Sequence, residues 1–200
     1  MKINRDKAIE ICKEIEMRAP SYGCHVALTG GCLYKDGDRK DCDLLFYVDK
    51  YQCWYHKGIH GITNNIDCTV LHLNKIIKDG NYEKVIFMGI SAGGYASILF
   101  GSLCDNVNNV ISFIPQTILN NPIDSRYSNL KNVINKSTRY IIHGDISIHN
   151  KNHNHHILHC ENIDCFSNVK IIKNNGLDMK QLRDNGSIKK ILDDCLKILV

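Results

Sequence analysis

The sequence predicts an α/β fold of three layers, with a mostly parallel sheet packed between helices. Short, continuous apolar runs at residues 85–88 and 110–114 are typical of strands that are buried on both faces of a parallel sheet. Segments with helical apolar spacing alternate with these runs, as in a βαβ unit. Of the 200 residues, 44% are apolar and only 3 are Pro, so one ordinary domain can bury a substantial core.

The N-terminal segment begins with an amphipathic helix, predicted over residues 5–18 between the cap Asn4 and the terminator Pro20. A strand is predicted next, at residues 25–29. This start has no signal-peptide pattern, and no window of the chain approaches the roughly eighteen apolar residues of a membrane span. We therefore expect a cytoplasmic protein that does not enter a membrane.

Two glycines and two carboxylates follow in the next part of the chain. Gly30 and Gly31 come directly after the first strand. Asp41 and Asp43 come directly before a second predicted strand, and residues two apart in a strand share a face, so the carboxylates would project together. This arrangement, over residues 24–47, resembles the opening of a nucleotidyltransferase fold, which implies a Mg²⁺ and nucleotide site at these four residues. The alternative is that the acids only solvate the end of a strand.

Such a nucleotidyltransferase usually needs a third carboxylate, and Asp67 is the only plausible candidate. Its segment fits a helix better than a strand, since four apolar residues fall on one helical face: Ile66, Val70, Leu73 and Ile77. Asn64 is the predicted N-cap, which places Asp67 in the first turn, near the positive end of the helix dipole. We therefore predict that Asp67 is a helix acid and not a metal ligand.

The motif that carries the most chemistry is G-x-S-x-G at residues 89–93, with Ser91 at its centre. The strand at residues 85–88 precedes it, and apolar residues at helical spacing follow it up to Leu103. This order of strand, sharp turn and helix predicts a nucleophile elbow, in which Ser91 adopts a strained backbone and presents its hydroxyl at the edge of the sheet. The amide of Ala92 would then face the position of a developing oxyanion. A merely structural Gly-rich turn is the alternative.

From about residue 44 to its C-terminus the chain resembles the α/β-hydrolase superfamily. Residues 91–96, Ser-Ala-Gly-Gly-Tyr-Ala, look like the small bacterial and viral hydrolases found beside glycan-assembly genes. The resemblance implies a serine hydrolase that needs no cofactor and cleaves an ester or related acyl bond, on a small molecule or on a glycan or its precursor. It also implies two parts, an N-terminal segment at residues 1–41 and a hydrolase-like domain at residues 42–200.

The same resemblance implies the partners of Ser91. A second oxyanion-hole amide is expected in the loop after the second strand, near Trp54 or Tyr55. The acid of a catalytic triad is expected just past a strand end, where the chain has Asp145. Related sequences can carry this acid two residues later, where the chain has Ser147.

The histidines depart from the superfamily pattern, which would place the catalytic one near residues 173–179, where the chain has none. The available imidazoles lie earlier, in a tract at residues 153–159. We favour His156 or His159 as the general base. The tract has two other interpretations. His155 and His159 form an i, i+4 pair that can chelate zinc, or the tract is an exposed polar loop and the protein is a degenerate hydrolase that acts as a binding module.

Charge and cysteine content argue against several other classes of protein. The net charge is +4, from 25 basic and 21 acidic residues without a basic block, so nucleic-acid binding is not expected. The 10 cysteines are scattered along the chain and form no C-x-x-C pair. Most are therefore expected to be small core residues in a reducing compartment.

Overall fold

The computed structural model describes residues 26–29, 45–82 and 84–197. The predicted N-terminal helix lies outside the described residues, as do Gly30, Gly31, Asp41 and Asp43. The described strands are β1 (Val26–Thr29), β2 (Leu45–Val48), β3 (Ile86–Ile90), β4 (Asn109–Phe113), β5 (Arg139–Asp145) and β6 (Val169–Asn174). The described helices are α1 (Ile66–Gly80), α2 (Ala92–Leu103), α3 (Leu158–Glu161), α4 (Met179–Asp184) and α5 (Ser187–Lys197). Two short 3-10 turns, Ser125–Tyr127 and Leu130–Asn132, lie between β4 and β5.

Within the described residues, the six strands form one sheet in the order β2-β1-β3-β4-β5-β6. Strands β3 to β6 are parallel, with Met88 opposite Ile111 and Ile111 opposite Ile141. Strand β1 runs antiparallel to both β2 and β3. The four parallel strands and their helices confirm the predicted α/β class. Because parallel strands end at the same edge of a sheet, Ser91 after β3 and Asp145 in β5 lie along one edge.

The core covers both faces of the sheet, because successive residues of a strand point to opposite sides. Phe87 and Val110 join one apolar cluster, to which α1 and α2 contribute their buried residues. Ile86 and Ile111 join a second cluster, together with Leu192 of α5. Every residue of β4 is buried. The continuous apolar runs in the sequence therefore reflect strands with no face toward solvent.

Helix α1 confirms the helical prediction around Asp67, with one change at its start. The N-cap is Asn65 and not Asn64, because the Asn65 side chain accepts a hydrogen bond from the Cys68 amide at 2.7 Å. Asp67 lies in the first turn, as expected. Its exposed carboxylate pairs with the Arg126 guanidinium at 2.7 Å, so a cation of the chain itself contacts this acid.

Three of the six described cysteines have the expected role of small core residues, while Cys53 and Cys68 are half-buried and Cys165 is exposed. Cys104, Cys160 and Cys195 are buried, and every described cysteine is a free thiol. Burial raises the pKa of Cys104 and of Cys160 to about 12, so both thiols stay protonated at neutral pH. No helix in the described part of the chain combines the length and the apolar character that crossing a bilayer requires.

Candidate active site

Ser91 occupies a sharp turn between β3 and α2. Its backbone has φ of 55° and ψ of −117°, a conformation that costs about 1–3 kcal/mol in a residue other than Gly. Backbone hydrogen bonds hold it there: the Ser91 amide donates to the Phe113 carbonyl at 2.9 Å, and the Ser91 carbonyl accepts from the Tyr95 amide at 2.9 Å. The predicted order of strand, strained turn and helix is therefore confirmed.

Two glycines allow α2 to approach the strands around this turn, Gly89 at β3 and Gly94 at β4. A Cβ atom at Gly89 would lie 2.1 Å from the Gly93 carbonyl oxygen, and a Cβ atom at Gly94 would lie 2.7 Å from Ser112 Oγ. The first clash is with backbone, which cannot rotate away as a side chain does. The spacing of G-x-S-x-G thus has a steric cause in this protein.

Gly89→Ala is expected to lower the free energy of unfolding by about 1–3 kcal/mol, because the new methyl group overpacks the elbow. Denaturant unfolding measures this loss. Gly144→Ala is the comparison, since Gly144 likewise has no positive φ and the atom nearest to its added Cβ, at 2.2 Å, is the end of the flexible Ile157 side chain, which can rotate away. Equal stability losses in the two variants would contradict the steric account of the elbow.

His155 is the imidazole that reaches Ser91. Its Nε2 atom lies 2.7 Å from Ser91 Oγ, although the two residues are 64 positions apart in the chain. Ser91 is only 8% exposed, and both side chains line one cavity. A serine nucleophile requires a base in this position, because the hydroxyl must lose its proton as it attacks. The two residues therefore have the geometry of a Ser-His dyad.

The structure corrects the predicted choice of base, since neither His156 nor His159 hydrogen-bonds to Ser91. Nδ1 of His156 accepts a hydrogen bond from the Leu158 amide at 3.2 Å. Nδ1 of His159 is buried and has no hydrogen-bond partner among the described residues. Burial, together with the neighbouring His156, lowers the pKa of His159. Both rings are therefore at least partly buried within the loop.

The loop before α3 places His155 beside Ser91 and buries its neighbour. The His156 backbone pairs with Asp145 in a single parallel β-bridge, and the His156 side chain is buried. His155 lies in the turn just before this bridge, is half-buried, and lines the cavity. The His155 amide also donates to Nδ1 of His153 at 3.1 Å, which orders the segment locally.

Asp145 ends β5, as predicted, but its carboxylate hydrogen-bonds to residues of two neighbouring loops. It accepts hydrogen bonds of 2.7–3.0 Å from the amide and hydroxyl of Ser147 and from the amides of Gly176 and Leu177. Burial by itself would raise the pKa of Asp145, but these hydrogen bonds lower it to about 2. None of its hydrogen bonds goes to His155. The structure therefore does not bring the predicted acid to the base, and Asp145 instead joins β5 to the loop after β6.

One predicted oxyanion donor is placed suitably and the other is not. Ala92 is the first residue of α2, so its amide has no partner within the helix, and it lines the cavity beside Ser91. The Tyr55 amide instead donates to Asp49 Oδ2 at 3.0 Å, an oxygen that also accepts from the Cys53 amide at 2.7 Å. Tyr55 is 1% exposed and packs in the core. The geometry therefore removes Tyr55 from the oxyanion hole.

Trp54, the neighbouring residue considered for this role, does line the cavity. Its backbone is left-handed, with φ of 55°, and its amide takes part in no hydrogen bond within the described residues. The indole N–H donates to Oε1 of Gln116 at 2.6 Å, which fixes the ring against the cavity wall. Trp54 thus replaces Tyr55 as the candidate for the second oxyanion donor.

A buried histidine that no sequence motif marks connects the Trp54 loop to α2. Nδ1 of His56 accepts from the Asp124 amide at 3.0 Å, so Nε2 carries the ring proton and donates to Tyr95 Oη at 2.9 Å. The Tyr95 hydroxyl donates in turn to the Tyr127 carbonyl at 2.7 Å. Burial lowers the pKa of His56, which favours this neutral form. Because its partners come from separate segments, sequence spacing alone could not identify the connection.

The metal-binding interpretations gain no support from the described residues. No group of three or more His, Cys, Asp or Glu side chains in that part of the chain is arranged to hold a metal ion, and this part includes the histidine tract at residues 153–159. Gly30, Gly31, Asp41 and Asp43 lie outside it. The groups that the described site brings together are the serine, the imidazole and the amides around them.

Comparisons of the chain with protein-family models, with curated proteins and with solved structures found no match. The resemblances inferred from its motifs therefore stay predictions. The function of the protein is therefore inferred from the geometry around Ser91.

Proposed function

We propose that this protein is a serine hydrolase of the α/β-hydrolase type, with a three-layer core, that cleaves an ester or related acyl bond. The observation that carries the proposal is the 2.7 Å contact between Ser91 Oγ and His155 Nε2. A serine in a merely structural turn needs neither an imidazole at this distance nor an adjoining cavity. The same contact favours this proposal over a degenerate hydrolase, in which no imidazole is expected at this distance from Ser91.

Features of the fold support the hydrolase type. The elbow follows a central parallel strand, its serine has a positive φ, and apolar clusters cover both faces of the sheet. The activity belongs to the predicted domain at residues 42–200.

The first half of the reaction transfers the acyl group to the protein. The oxygen of Ser91 attacks the carbonyl carbon of the substrate while His155 Nε2 takes the hydroxyl proton. The amides of Ala92 and Trp54 stabilise the resulting oxyanion. The bond from the carbonyl carbon to the alcohol oxygen then breaks, and His155 gives its proton to that oxygen, which releases the alcohol.

The second half releases the acid and restores the protein. His155 takes a proton from a water molecule, whose oxygen attacks the carbonyl carbon of the acyl-enzyme. The bond to Ser91 breaks, and the serine oxygen regains a proton from His155. One ester and one water molecule thus become one carboxylic acid and one alcohol.

Ser91→Ala is expected to abolish both labelling by a fluorophosphonate probe and hydrolysis of 4-nitrophenyl acetate, because the attacking oxygen is gone. Gel-based labelling and a spectrophotometric assay measure the two effects. Ser167→Ala, at an exposed serine between α3 and β6, is the control and should label as the wild type does. Labelling of Ser91→Ala at the wild-type rate, or no labelling of the folded wild type, would overturn the proposed function.

A further inference from the structure

The cavity at Ser91 has a volume of about 570 Å³, which is within the range of about 300–1,000 Å³ typical of small-molecule sites. Its wall has an unusual composition. Five carboxamide side chains line it together with Trp54: Gln52, Gln116, Asn150, Asn152 and Asn154. The remaining described lining residues are the dyad, Ala92 and His153.

The wall disfavours charged substrates. Among the described residues that line the cavity, none is Asp, Glu, Lys or Arg. A charged group bound there would lose hydration without gaining a carboxylate, ammonium or guanidinium partner from these lining residues, which is costly. The alcohol part of the substrate is therefore expected to be uncharged.

The wall also disfavours long acyl chains. The described lining contains no Val, Leu, Ile, Met or Phe, so an extended alkyl chain would find little apolar surface to cover it. The acyl group that reaches Ser91 is therefore expected to be short, as an acetyl group is.

Carboxamides favour one type of neutral ligand. A carboxamide carries both a donor NH₂ and an acceptor oxygen, and an alcohol hydroxyl likewise donates and accepts. In this wall the oxygens of Gln116 and Asn150 already accept from the Trp54 indole and the Asn152 amide. Several carboxamides around one cavity thus match a molecule that carries several hydroxyl groups. This match distinguishes a polyol or sugar from an alkyl alcohol of the same size.

Trp54 and Gln116 add a rigid element to the wall. Gln116 is 6% exposed, and its Oε1 accepts the Trp54 indole N–H at 2.6 Å. This bond holds the indole ring in place, so the ring offers a preorganised face for the apolar C–H side of a sugar ring. The Gln116 oxygen is used in that bond, so its NH₂ group is the part that remains for a ligand.

We propose that the substrate is a short-chain ester of an uncharged sugar or similar polyol, with Trp54 and Gln116 as specificity-determining residues. This inference rests on the proposed function. The short acyl group lies against Ser91, and the sugar oxygen is the leaving group that accepts the proton from His155. The sugar itself lies between the indole ring and the carboxamides.

The inference is tested by comparing kcat/KM for three acetate esters of similar size: an O-acetylated methyl glucoside, cyclohexyl acetate and acetylcholine. Acetate release is the readout, and the sugar ester is expected to exceed each of the others by about tenfold or more. Cyclohexyl acetate or acetylcholine reacting as fast as the sugar ester, while 4-nitrophenyl acetate is hydrolysed, would overturn the inference and leave the proposed function standing. No turnover of any ester by the folded wild type, with no probe labelling, would overturn both.

Gln116→Glu tests the role of the wall directly. The new carboxylate can still accept the indole N–H, but it adds a negative charge. The ratio of kcat/KM for the sugar ester to that for acetylcholine is expected to fall by about tenfold. Gln181→Glu, at an exposed glutamine of α4, should leave the ratio unchanged.

Trp54→Leu provides a second, uncharged test. It is expected to raise KM for the sugar ester by about tenfold more than KM for cyclohexyl acetate, because the flat ring face is lost. Unfolding midpoints close to that of the wild type show that each variant is folded. If both Gln116→Glu and Trp54→Leu keep the wild-type preference among the esters, the two residues do not determine specificity and the inference is wrong.

Discussion

Replacing His155 with Ala is expected to lower kcat/KM for ester hydrolysis by about 10²- to 10⁴-fold, because a general base contributes about that much to such a reaction. The reason is local. Nε2 of His155 is 2.7 Å from Ser91 Oγ, and without this imidazole the hydroxyl has no base at hydrogen-bond distance among the described residues. The stability of the protein should change little, since the His155 side chain is only half-buried at the cavity.

Variants of three other histidines show whether the loss of activity is specific to His155. His156→Ala and His159→Ala remove a buried and a half-buried imidazole, respectively. Both are expected to act mainly on the free energy of unfolding, with activity per folded molecule falling far less than in His155→Ala. His149→Ala, at an exposed position in the same loop, is the control. Steady-state rates and denaturant unfolding are measured for all four variants. Full activity in His155→Ala, with loss in folded His156→Ala or His159→Ala, would contradict the dyad.

Acidification is expected to destabilise the protein by about 3 kcal/mol between pH 6.5 and pH 4 through one residue, His143. His143 lies in β5, where its ring stacks on Phe113 at 4.6 Å between centroids. Its Nε2 is buried without a hydrogen-bond partner among the described residues. Burial lowers its pKa from 6.5 to about 4, because a charged imidazole cannot be hydrated there.

The direction of this effect follows from proton binding. Below pH 6.5 the unfolded chain binds a proton at His143, while the folded protein does not bind it until the pH approaches 4. The unfolded state is therefore favoured as the pH falls through this range, and the contribution of His143 is fully present only above pH 6.5.

His143→Phe isolates the contribution of this residue. The variant keeps the aromatic stack on Phe113 but cannot bind a proton, so its stability should fall less steeply below pH 6.5 than that of the wild type. Denaturant unfolding at a series of pH values measures the two curves. His56, whose pKa burial also lowers, is the same in both proteins and cancels from the difference. Parallel curves between pH 7 and pH 4.5 would contradict the account.

The elbow could be predicted because its determinants are close together in the chain. An apolar strand, a glycine on either side of Ser91 and an apolar helix all lie within residues 84–104, and the Gly89 clash involves Gly93 only four positions away. Helix α1 was predictable for the same reason, although its cap moved from Asn64 to Asn65. Local sterics and hydrogen bonds decide such features.

The base could not be predicted, because the choice depends on contacts between distant segments. His155 and His156 are neighbours with the same side chain, and only the tertiary structure distinguishes them: the His156 backbone pairs with Asp145 and its ring is buried, while the His155 ring contacts Ser91. Nothing in the spacing of the tract distinguishes the two.

The Asp145 and Tyr55 predictions identified the right segments but not the hydrogen bonds already made there. Asp145 does end a strand at the site edge, yet amides from the loop after β6 use its carboxylate. The Tyr55 amide does lie in the loop after β2, yet Asp49 accepts its hydrogen. A donor or acceptor that is satisfied by the scaffold is not available for catalysis.

The sequence by itself determined the alternation of strands and helices, the strained position of Ser91 and the helix at Asp67, because these depend on interactions within a few residues. The tertiary structure decided that His155 is the imidazole that contacts Ser91, that the Tyr55 amide donates to Asp49, and that carboxamides line the cavity beside Ser91 and His155. Each of these depends on which distant groups occupy a limited number of hydrogen bonds. That competition is settled only when the strands and loops are packed together.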